Sequence, residues 1–352
     1  MIRIPSTNKQ SRRLKAQLML GFLIIICSCE WSRFLHEING LTMGTTYSVK
    51  VVTGYRYLDK TAMQTGIDSI LQELNRQVST WDMESEISRF NHQNSSARFF
   101  ISDQFKSILT KGEEISRITH GAFDFTIYPL LKLWGFGPEA NNPAEIPDNA
   151  VIRKTLNHVG IGKLEIGENN ISKIDSLLQL DLNAIAKGFG VDLVFEWLKK
   201  DGYNDIFIEI GGEIRCSGMN LNGSSWRVGV DMPNLHSDPG DIISALVELN
   251  NTAIATSGNY RNFLDEGGVF RAHIIDPRTG YPADNGIVSV SVLAGDCLTA
   301  DAFATALSVL DIIEGRSLVD QRESLEALWI ISDEDGNYQS FSSENFHFTE
   351  LR

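Results

Sequence analysis

The sequence predicts an α+β fold with mixed or antiparallel sheets and packed helices. Two helical patterns, with apolar residues at spacings of three and four, occupy the first half of the chain, and a third begins near position 183. Several strand-like segments rich in β-branched residues follow, joined by turns that contain Gly or Pro. Long helices among many such strands are typical of α+β proteins and not of a doubly wound parallel sheet.

The first 28 residues have the organisation of a secretory signal peptide. An apolar run at 18–26 is too short for a stable membrane span. The run ICSC at 26–29 matches the pattern aliphatic, any, small, Cys that bacterial lipoprotein signal peptidase cleaves, which predicts lipidation of Cys29. An uncleaved signal anchor is the alternative. Basic residues, without acidic ones, precede the apolar run: Arg3, Lys9, Arg12, Arg13 and Lys15.

These features predict a signal peptide at 1–28, a tether at 29–41 and one domain at 42–352. We expect the protein to be lipid-anchored in the cell envelope and to face the periplasm. Removing the signal peptide takes away five of the 31 positive charges and none of the 45 negative ones, which leaves a formal net charge of −19. A surface with this much negative charge repels nucleic acid and anionic lipid headgroups. Membrane attachment must therefore come from the lipid on Cys29.

Cysteine use adds little. Cys216 and Cys297 remain once the signal is removed and Cys29 is lipidated. The two thiols would pair in an oxidising periplasm if they met, but nothing in the sequence brings them together. We expect two buried, unpaired thiols.

In the first half, residues 42–52 are predicted to form a turn and an alternating strand. One helix is predicted around 63–78 and another around 105–118, the second ending at Gly121. Residues 135–148, rich in Pro and Asn, are typical of a long loop.

In the second half, an alternating segment at 177–182 predicts a strand that leads directly into a helix. Later strands are predicted at 205–210, 226–231, 245–249, 269–275 and 287–293.

The junction DLNAIAKG at 181–188 joins the predicted strand to the helix. A helix start presents unpaired N–H groups and a positive dipole end, and Lys187 adds a full charge one turn later. The junction therefore suits an anion such as a phosphate. The alternative is a capped, buried helix with Lys187 extending to solvent.

Three more stretches carry polar residues in unusual settings. Asp301 and Thr305 lie one helical turn apart on an Ala-rich helix and offer hard oxygens for Mg²⁺, although a solvated polar stripe would look the same. Gly211 and Gly212 end a strand and permit close backbone approach, without the Lys and Ser/Thr of a P-loop. His273 lies in a predicted strand that runs into a Pro-x-x-Gly turn, and its alternative role is structural.

Eight motifs in this order resemble the ApbE family, the bacterial FAD:protein FMN transferases, which are often lipoproteins. The resemblance runs from about position 42 to 310, with Asn259 where the family more often has Asp. The motifs are MGTTY (43–47), GAFD (121–124), WGFG (134–137), DLNAIAKG (181–188), GG (211–212), TSGNY (256–260), HIIDPRTG (273–280) and ADAFAT (300–305).

This resemblance implies an ApbE-like (T-fold-like) architecture and a Mg²⁺-dependent transfer of FMN from FAD to a Thr or Ser hydroxyl of a target protein, with release of AMP. It implies that Asp301, Thr305 and the backbone carbonyl of Ala184 bind the metal. It also implies that the FAD pocket is lined by Met43, Trp81, Ala122, Phe123, Asp124, Asp181, Lys187, Ser257, Gly258 and Ile275.

The residue types suit that chemistry. Attack of a neutral hydroxyl on a pyrophosphate needs charge neutralisation, which Mg²⁺ and Lys187 would supply. It also needs a proton acceptor; His273 is the motif residue of the suitable type, and a carboxylate is the alternative. We therefore expect His273, Lys187 and Asp301 to be catalytic. The expected partners are FAD, flavoprotein targets in or facing the periplasm, and the membrane through the lipid, but no nucleic acid. A FAD pyrophosphatase and a non-catalytic FAD-binding lipoprotein are the two alternatives.

Overall fold

The structure is a computed structural model that describes residues 32–140, 146–232, 242–258, 263–266, 269–333 and 337–351. The signal peptide, Cys29 and Asn259 lie outside the described residues. In the part of the chain that is described, no helix has the length and apolar character needed to cross a bilayer.

The helices agree with the apolar periodicity of the sequence. The helix predicted around 63–78 buries Met63, Ile67 and Leu71 on one face. The helix predicted around 105–118 ends at Ile118, and the chain then turns at His120 and Gly121, which both have positive φ. In chain order the described helices are α1 (Lys60–Val78), α2 (Glu86–His92), α3 (Asp103–Ile118), α4 (Tyr128–Leu133), α5 (Asn149–Leu156), α6 (Asn183–Lys200), α7 (Cys297–Val309) and α8 (Ile312–Asp320).

One large antiparallel sheet runs through the molecule. Among the described residues its strand order is β1-β2-β6-β7-β10-β13-β14-β15, and every neighbouring pair is antiparallel. Its strands are β1 (Phe34–Thr42), β2 (Thr45–Thr53), β6 (Asp205–Ile210), β7 (Glu213–Ser217), β10 (Ala253–Gly258), β13 (Ile287–Ala294), β14 (Glu326–Ser332) and β15 (Tyr338–Ser342).

Smaller sheets complete the described architecture. They have the orders β16-β9-β8, β3-β5-β4 and β11-β12. Their strands are β3 (Phe99–Phe100), β4 (Leu164–Ile166), β5 (Asn170–Lys173), β8 (Trp226–Asp231), β9 (Ile243–Leu249), β11 (Phe263–Glu266), β12 (Val269–Ala272) and β16 (Phe348–Glu350).

Both faces of the large sheet are covered. Ile206 and Ile208 of β6 pack with α1 and α6 on one face, whereas Phe207 packs with β8 and β9 on the other. This arrangement explains why β6 is apolar at consecutive positions. In β8, by contrast, buried Val228 and Val230 alternate with exposed Gly229, because only one of its faces is covered. The α+β class predicted from the sequence is confirmed, with antiparallel pairing.

The predicted strand at 177–182 does not form. Leu178, Leu180 and Leu182 are fully buried on alternate positions, as a strand pattern requires, but the segment makes one isolated bridge at Gln179. Its backbone bonds instead with the side chain of Asn91, which accepts from Leu180 N at 2.7 Å and donates to Leu180 O at 2.8 Å. The alternation of leucines predicted their burial correctly. It could not reveal that the side chain of Asn91 takes the hydrogen bonds that a neighbouring strand would make.

The predicted tether at 29–41 is also too long. Strand β1 pairs with β2 from Phe34 onward and buries His36 and Ile38. Residues that were expected to link the domain to the membrane therefore form an edge strand of the large sheet. The predicted strand at 269–275 is likewise shorter, since β12 ends at Ala272 and Ile275 makes only an isolated bridge to Pro282.

The two cysteines behave as expected. Cys216 on β7 and Cys297 at the start of α7 are both buried and unpaired. Burial raises the pKa of the Cys216 thiol to about 11, so it stays protonated at neutral pH.

Candidate active site

A cavity of about 810 Å³ lies where the β6–β7 turn, the end of β10 and the start of α6 meet. Its volume is in the range of pockets that bind cofactor-sized ligands. The structure brings most of the predicted site residues to its wall: Trp81, Ala122, Phe123, Asp124, Asp181, Ala184, Lys187, Ser257, Gly258, His273, Ile275, Asp301 and Thr305.

Met43 does not belong to this wall. It occupies the β1–β2 turn with a φ of 48°, and its terminal methyl lies over Gly190 in the middle of α6, packed against the helical core. Met43 thus has a packing role at the turn, and its contact with the flavin stays a prediction. Trp81 lies at the cavity wall with 70% of its surface exposed, so its ring is available to a ligand.

The start of α6 forms the floor of the cavity. Asp181 is buried and accepts hydrogen bonds from the backbone N and the side-chain amide of Asn183, both at 2.9 Å. Burial raises the pKa of the Asp181 carboxyl to about 6, although these hydrogen bonds oppose the shift. The junction predicted from the sequence is thus a helix start, and the Asp181 carboxylate lies just before the first helical residue, Asn183.

Helices α6 and α7 touch at a glycine. A Cβ on Gly188 would lie 2.5 Å from the carbonyl oxygen of Cys297 and 2.9 Å from Cβ of Asp301. The Gly188 N–H donates to Asp301 Oδ2 at 3.0 Å, so the close approach also orients this carboxylate. Asp192 of α6 accepts from the N–H groups of Cys297 and Leu298, both at 2.9 Å, and so fixes the first turn of α7.

Lys187 forms an ion pair that the sequence did not predict. Its Nζ lies 2.5 Å from Oε1 of Glu213, at the start of β7, and 31% of its side chain remains exposed. Burial lowers the Lys187 pKa, but the charges of Glu213 and Asp301 outweigh that effect and raise it. The ammonium is therefore charged at the cavity wall, and within the described residues only one of its three protons is bonded, to Glu213.

Glu213 is the main site residue that sequence reasoning missed. Its carboxylate is buried, and Oε2 has no hydrogen-bond partner among the residues that the structure describes. Burial raises the Glu213 pKa, and Lys187 opposes the shift. The signal that would have identified it is its position directly after the two glycines at 211–212, both of which line the cavity.

The residues present fit a hard divalent cation. Asp301 is buried, and burial together with the nearby charge of Glu213 raises its pKa well above the usual range, because Lys187 serves both carboxylates and does not offset these two effects. A cation bound beside Asp301 would favour its ionised form. Thr305 Oγ1 lies 3.2 Å from Ser257 Oγ, which adds hydroxyl oxygens to the same region. No cluster of three or more His, Cys, Asp or Glu side chains occurs among the described residues. Mg²⁺ needs none, because it keeps waters and shares ligands with substrate phosphates.

Asp124 has a structural task at the cavity wall. Its Oδ1 accepts from the N–H and the hydroxyl of Thr126, at 2.8 and 2.6 Å, and Oδ2 accepts from Ile161 N at 3.0 Å. These bonds brace the loop that carries Phe123 into the cavity.

His273 lies at the cavity wall, with its ring centroid 6.4 Å from that of Phe136 in an edge-to-face arrangement. The Pro-x-x-Gly turn that follows it is present. Gly280 N donates to Asp276 O at 2.8 Å, and Trp134 Nε1 donates to Gly280 O at 2.8 Å. The turn thus anchors the segment that places His273 and Ile275 beside the cavity.

Comparisons with known proteins identify the family. A sequence model of the ApbE family matches residues 43–329. The chain is 38% identical over 327 residues to a FAD:protein FMN transferase of Vibrio cholerae, covering 93% of this chain and 96% of that protein. It is 35% identical to the protein of the same name from Haemophilus influenzae, covering 94% and 95%.

Solved structures give the same result. The flavin transferase ApbE from Vibrio cholerae superposes with a TM-score of 0.80 at 38% identity, covering 89% of this chain and 98% of that one. The apo form of the Pseudomonas stutzeri flavinyl transferase ApbE also gives a TM-score of 0.80, at 31% identity, covering 89% and 95%. The chain belongs to the ApbE family.

Proposed function

We infer that the chain is a FAD:protein FMN transferase, an enzyme that moves FMN from FAD to a hydroxyl of another protein. Family membership over nearly the whole chain supports the reaction. The observation in this structure that carries it is the convergence of the Lys187 ammonium, the buried Asp301 carboxylate and the Thr305 hydroxyl on one cavity. A positive charge beside hard oxygens suits the pyrophosphate of a dinucleotide.

In the reaction we propose, the oxygen of a Thr or Ser hydroxyl attacks the phosphorus of the FMN half of FAD. A new P–O bond forms, the bridging P–O bond to the AMP half breaks, and AMP leaves. The hydroxyl proton passes to His273, which lines the cavity. Lys187 faces the phosphates and offsets their charge, while Glu213 holds its ammonium in place.

The residues that would hold Mg²⁺ are Asp301, Thr305 and the backbone carbonyl of Ala184. Bound there, the metal would neutralise charge on the phosphates. Gly188 and Asp192 keep the two helices that carry these groups in fixed positions, by close approach and by capping.

The remaining wall residues would hold the rest of FAD. Trp81 and Phe123 offer aromatic surface, and the small residues Ala122, Ser257 and Gly258 leave room for the ligand. Asp181 presents a carboxylate whose hydrogen-bond acceptors would suit ribose or ring N–H groups.

We further propose that the enzyme is a lipoprotein of the cell envelope, with targets in the periplasm or on membrane proteins that face it. This rests on the ICSC pattern at 26–29 and the basic, then apolar, segment before it.

The decisive experiment is to incubate the purified protein with FAD, Mg²⁺ and candidate periplasmic flavoproteins, and to measure products by mass spectrometry. The transferase reaction adds the mass of an FMN phosphodiester to a Thr or Ser, in stoichiometry with AMP. Free FMN with AMP, and no modified protein across several targets, would establish a pyrophosphatase instead. Tight FAD retention without AMP release and without a metal requirement would establish a storage protein.

A first prediction concerns Glu213. Glu213→Gln keeps the shape of the side chain but removes the charge that holds Lys187, so we expect turnover to fall by about 10–100-fold, as for other groups that orient catalytic residues. Steady-state flavin transfer measures the effect. Glu209→Gln is the matched control: it removes the same charge from a neighbouring carboxylate that bonds Gly212 N at 2.7 Å. If both variants lose the same activity, the effect comes from the loss of negative charge near the cavity and not from the contact between Glu213 and Lys187.

A second prediction concerns the anchor. Cys29→Ser removes the thiol that lipid is attached to, so we expect the precursor to accumulate unprocessed and without label from radioactive fatty acid. Immunoblots of membrane fractions, with Cys27→Ser as the control, measure this. If Cys29→Ser yields the same trimmed, lipid-labelled species as the wild type, Cys29 is not the modified residue.

A further inference from the structure

One end of the large sheet lies opposite the cavity. Strand β1 begins there, next to the end of β2, because Phe34 pairs with Thr53. The start of β6 and the end of β7 lie at the same end, where Val52 pairs with Asp205 and Ile206 with Ser217. The β6–β7 turn, which carries the site residues, is at the other end of the same strands.

The chain is fixed to this end only four residues after Cys29. Arg33 forms an ion pair with Asp205 at 2.7 Å and donates to the carbonyl oxygens of Met219 and Asn220 at 3.0 and 3.1 Å. Four extended residues span at most about 14 Å. A lipid on Cys29 therefore holds this end of the molecule at the bilayer surface.

The turn that Arg33 contacts has the character of a membrane-binding loop. Met219 and Leu221 expose 50% and 42% of their surfaces, and no charged residue occurs at 217–225 in an otherwise acidic protein. Asn220 holds the turn in shape by accepting from Asn222 N and donating to Ser225 O. Apolar side chains on an ordered, uncharged turn bind at the boundary between headgroups and acyl chains.

Two tyrosines lie at the same end of the large sheet, beyond the end of β2. Tyr55 follows the end of β2, and Tyr57, two residues later, exposes 80% of its surface. Tyrosine suits a membrane interface because its ring is apolar and its hydroxyl stays hydrated. No charge patch is required, since the lipid supplies the attachment.

We propose that the β7–β8 turn (residues 218–225), with Tyr55 and Tyr57, is a membrane-contact surface that docks on phospholipid next to the acylated Cys29. This inference rests on the lipid anchor of the proposed function. It orients the enzyme: β6 spans roughly 17 Å from Asp205 to Ile210, so the cavity is held about that far from the docked end. The active site would then meet the acceptor hydroxyls of target proteins at a fixed distance from the bilayer surface.

The test labels the acylated full-length protein with an environment-sensitive fluorophore at Met219→Cys, in phosphatidylethanolamine–phosphatidylglycerol vesicles. Ile313→Cys is the control, because Ile313 is more exposed than Met219 (79% against 50%) and adjoins Glu314, which contacts Arg278, the neighbour of Pro277 at the cavity wall. The native cysteines at 216 and 297 are buried and will not take the label. Leu221→Cys is the second variant if Met219→Cys does not fold.

We expect the label at 219 to shift to the blue on reconstitution, to lose quenching by aqueous acrylamide and to gain quenching by lipids spin-labelled in the acyl chain. The label at 313 should show none of these changes. Equal solvent exposure of both labels in the vesicles overturns the proposal. So does protection at 219 that appears without vesicles and grows with protein concentration, which would identify a second copy as the occupant. Two controls are measured on the same samples. Mass spectrometry of the Cys29 peptide shows whether the protein is acylated, and flavin transfer to a soluble acceptor shows whether the enzyme is active. A negative labelling result with both controls positive therefore contradicts the membrane-contact surface itself.

Discussion

Asp301→Asn is expected to reduce Mg²⁺-dependent flavin transfer by about 10³-fold or more while the protein remains folded. The carboxylate is the one negatively charged group among the proposed metal ligands, and loss of several kcal/mol of charge stabilisation corresponds to a rate change of this size. Asparagine keeps an oxygen that can accept the hydrogen bond from Gly188 N, so the contact between α6 and α7 is preserved.

The variant should also not lose stability. Asp301 is buried close to Glu213, and both burial and that second charge raise its pKa, so removing its charge relieves repulsion in the free protein. Thermal unfolding with and without Mg²⁺ measures both effects: the wild type should be stabilised by the metal and Asp301→Asn should not. Asp296→Asn is a control at the start of the same helix, where the side chain caps Thr299 N. Full activity of Asp301→Asn at limiting Mg²⁺ would remove Asp301, and much of the argument for Thr305, from the metal site.

His273→Ala should slow transfer by about 10²–10⁴-fold at neutral pH, which is the usual contribution of a general base. FAD affinity should change little, because the proton is taken from the acceptor protein and not from the dinucleotide. Steady-state kinetics distinguish the two roles: we expect kcat to fall while the KM for FAD stays unchanged. Imidazole added to the reaction should restore part of the rate if the missing group is the base.

His120→Ala is a useful comparison, since His120 lies at an exposed helix end close to Gly121 and outside the cavity wall. A large increase in the FAD KM of His273→Ala would instead assign His273 to ligand binding. A carboxylate would then be the candidate for the base. Glu213 would be the first to examine, because its buried Oε2 meets no hydrogen-bond partner in the described part of the chain.

The helices and strands of this fold were predictable because the burial of one face gives apolar residues a regular spacing in the sequence. Helices α1 and α3 and strands β6 and β8 were each expected from their apolar pattern, and the structure has them. The site was predictable for a different reason. Eight ordered motifs identified the family, and thirteen of the residues they imply meet at one cavity although they are dispersed from Trp81 to Thr305.

The fold class, the family and thirteen residues of the cavity wall follow from the sequence alone, because periodicity and motif identity are properties of short segments. Long-range packing settled which polar groups pair. Lys187 meets Glu213 across 26 positions, Gly188 meets Asp301 across 113, and Asn91 bonds Leu180 across 89 in place of a strand. It also decided that β1 begins at Phe34 and that Met43 turns into the helical core. Apolar spacing reports which face of a segment is buried, but a hydrogen bond or ion pair depends on the position of a distant partner, which no local pattern encodes.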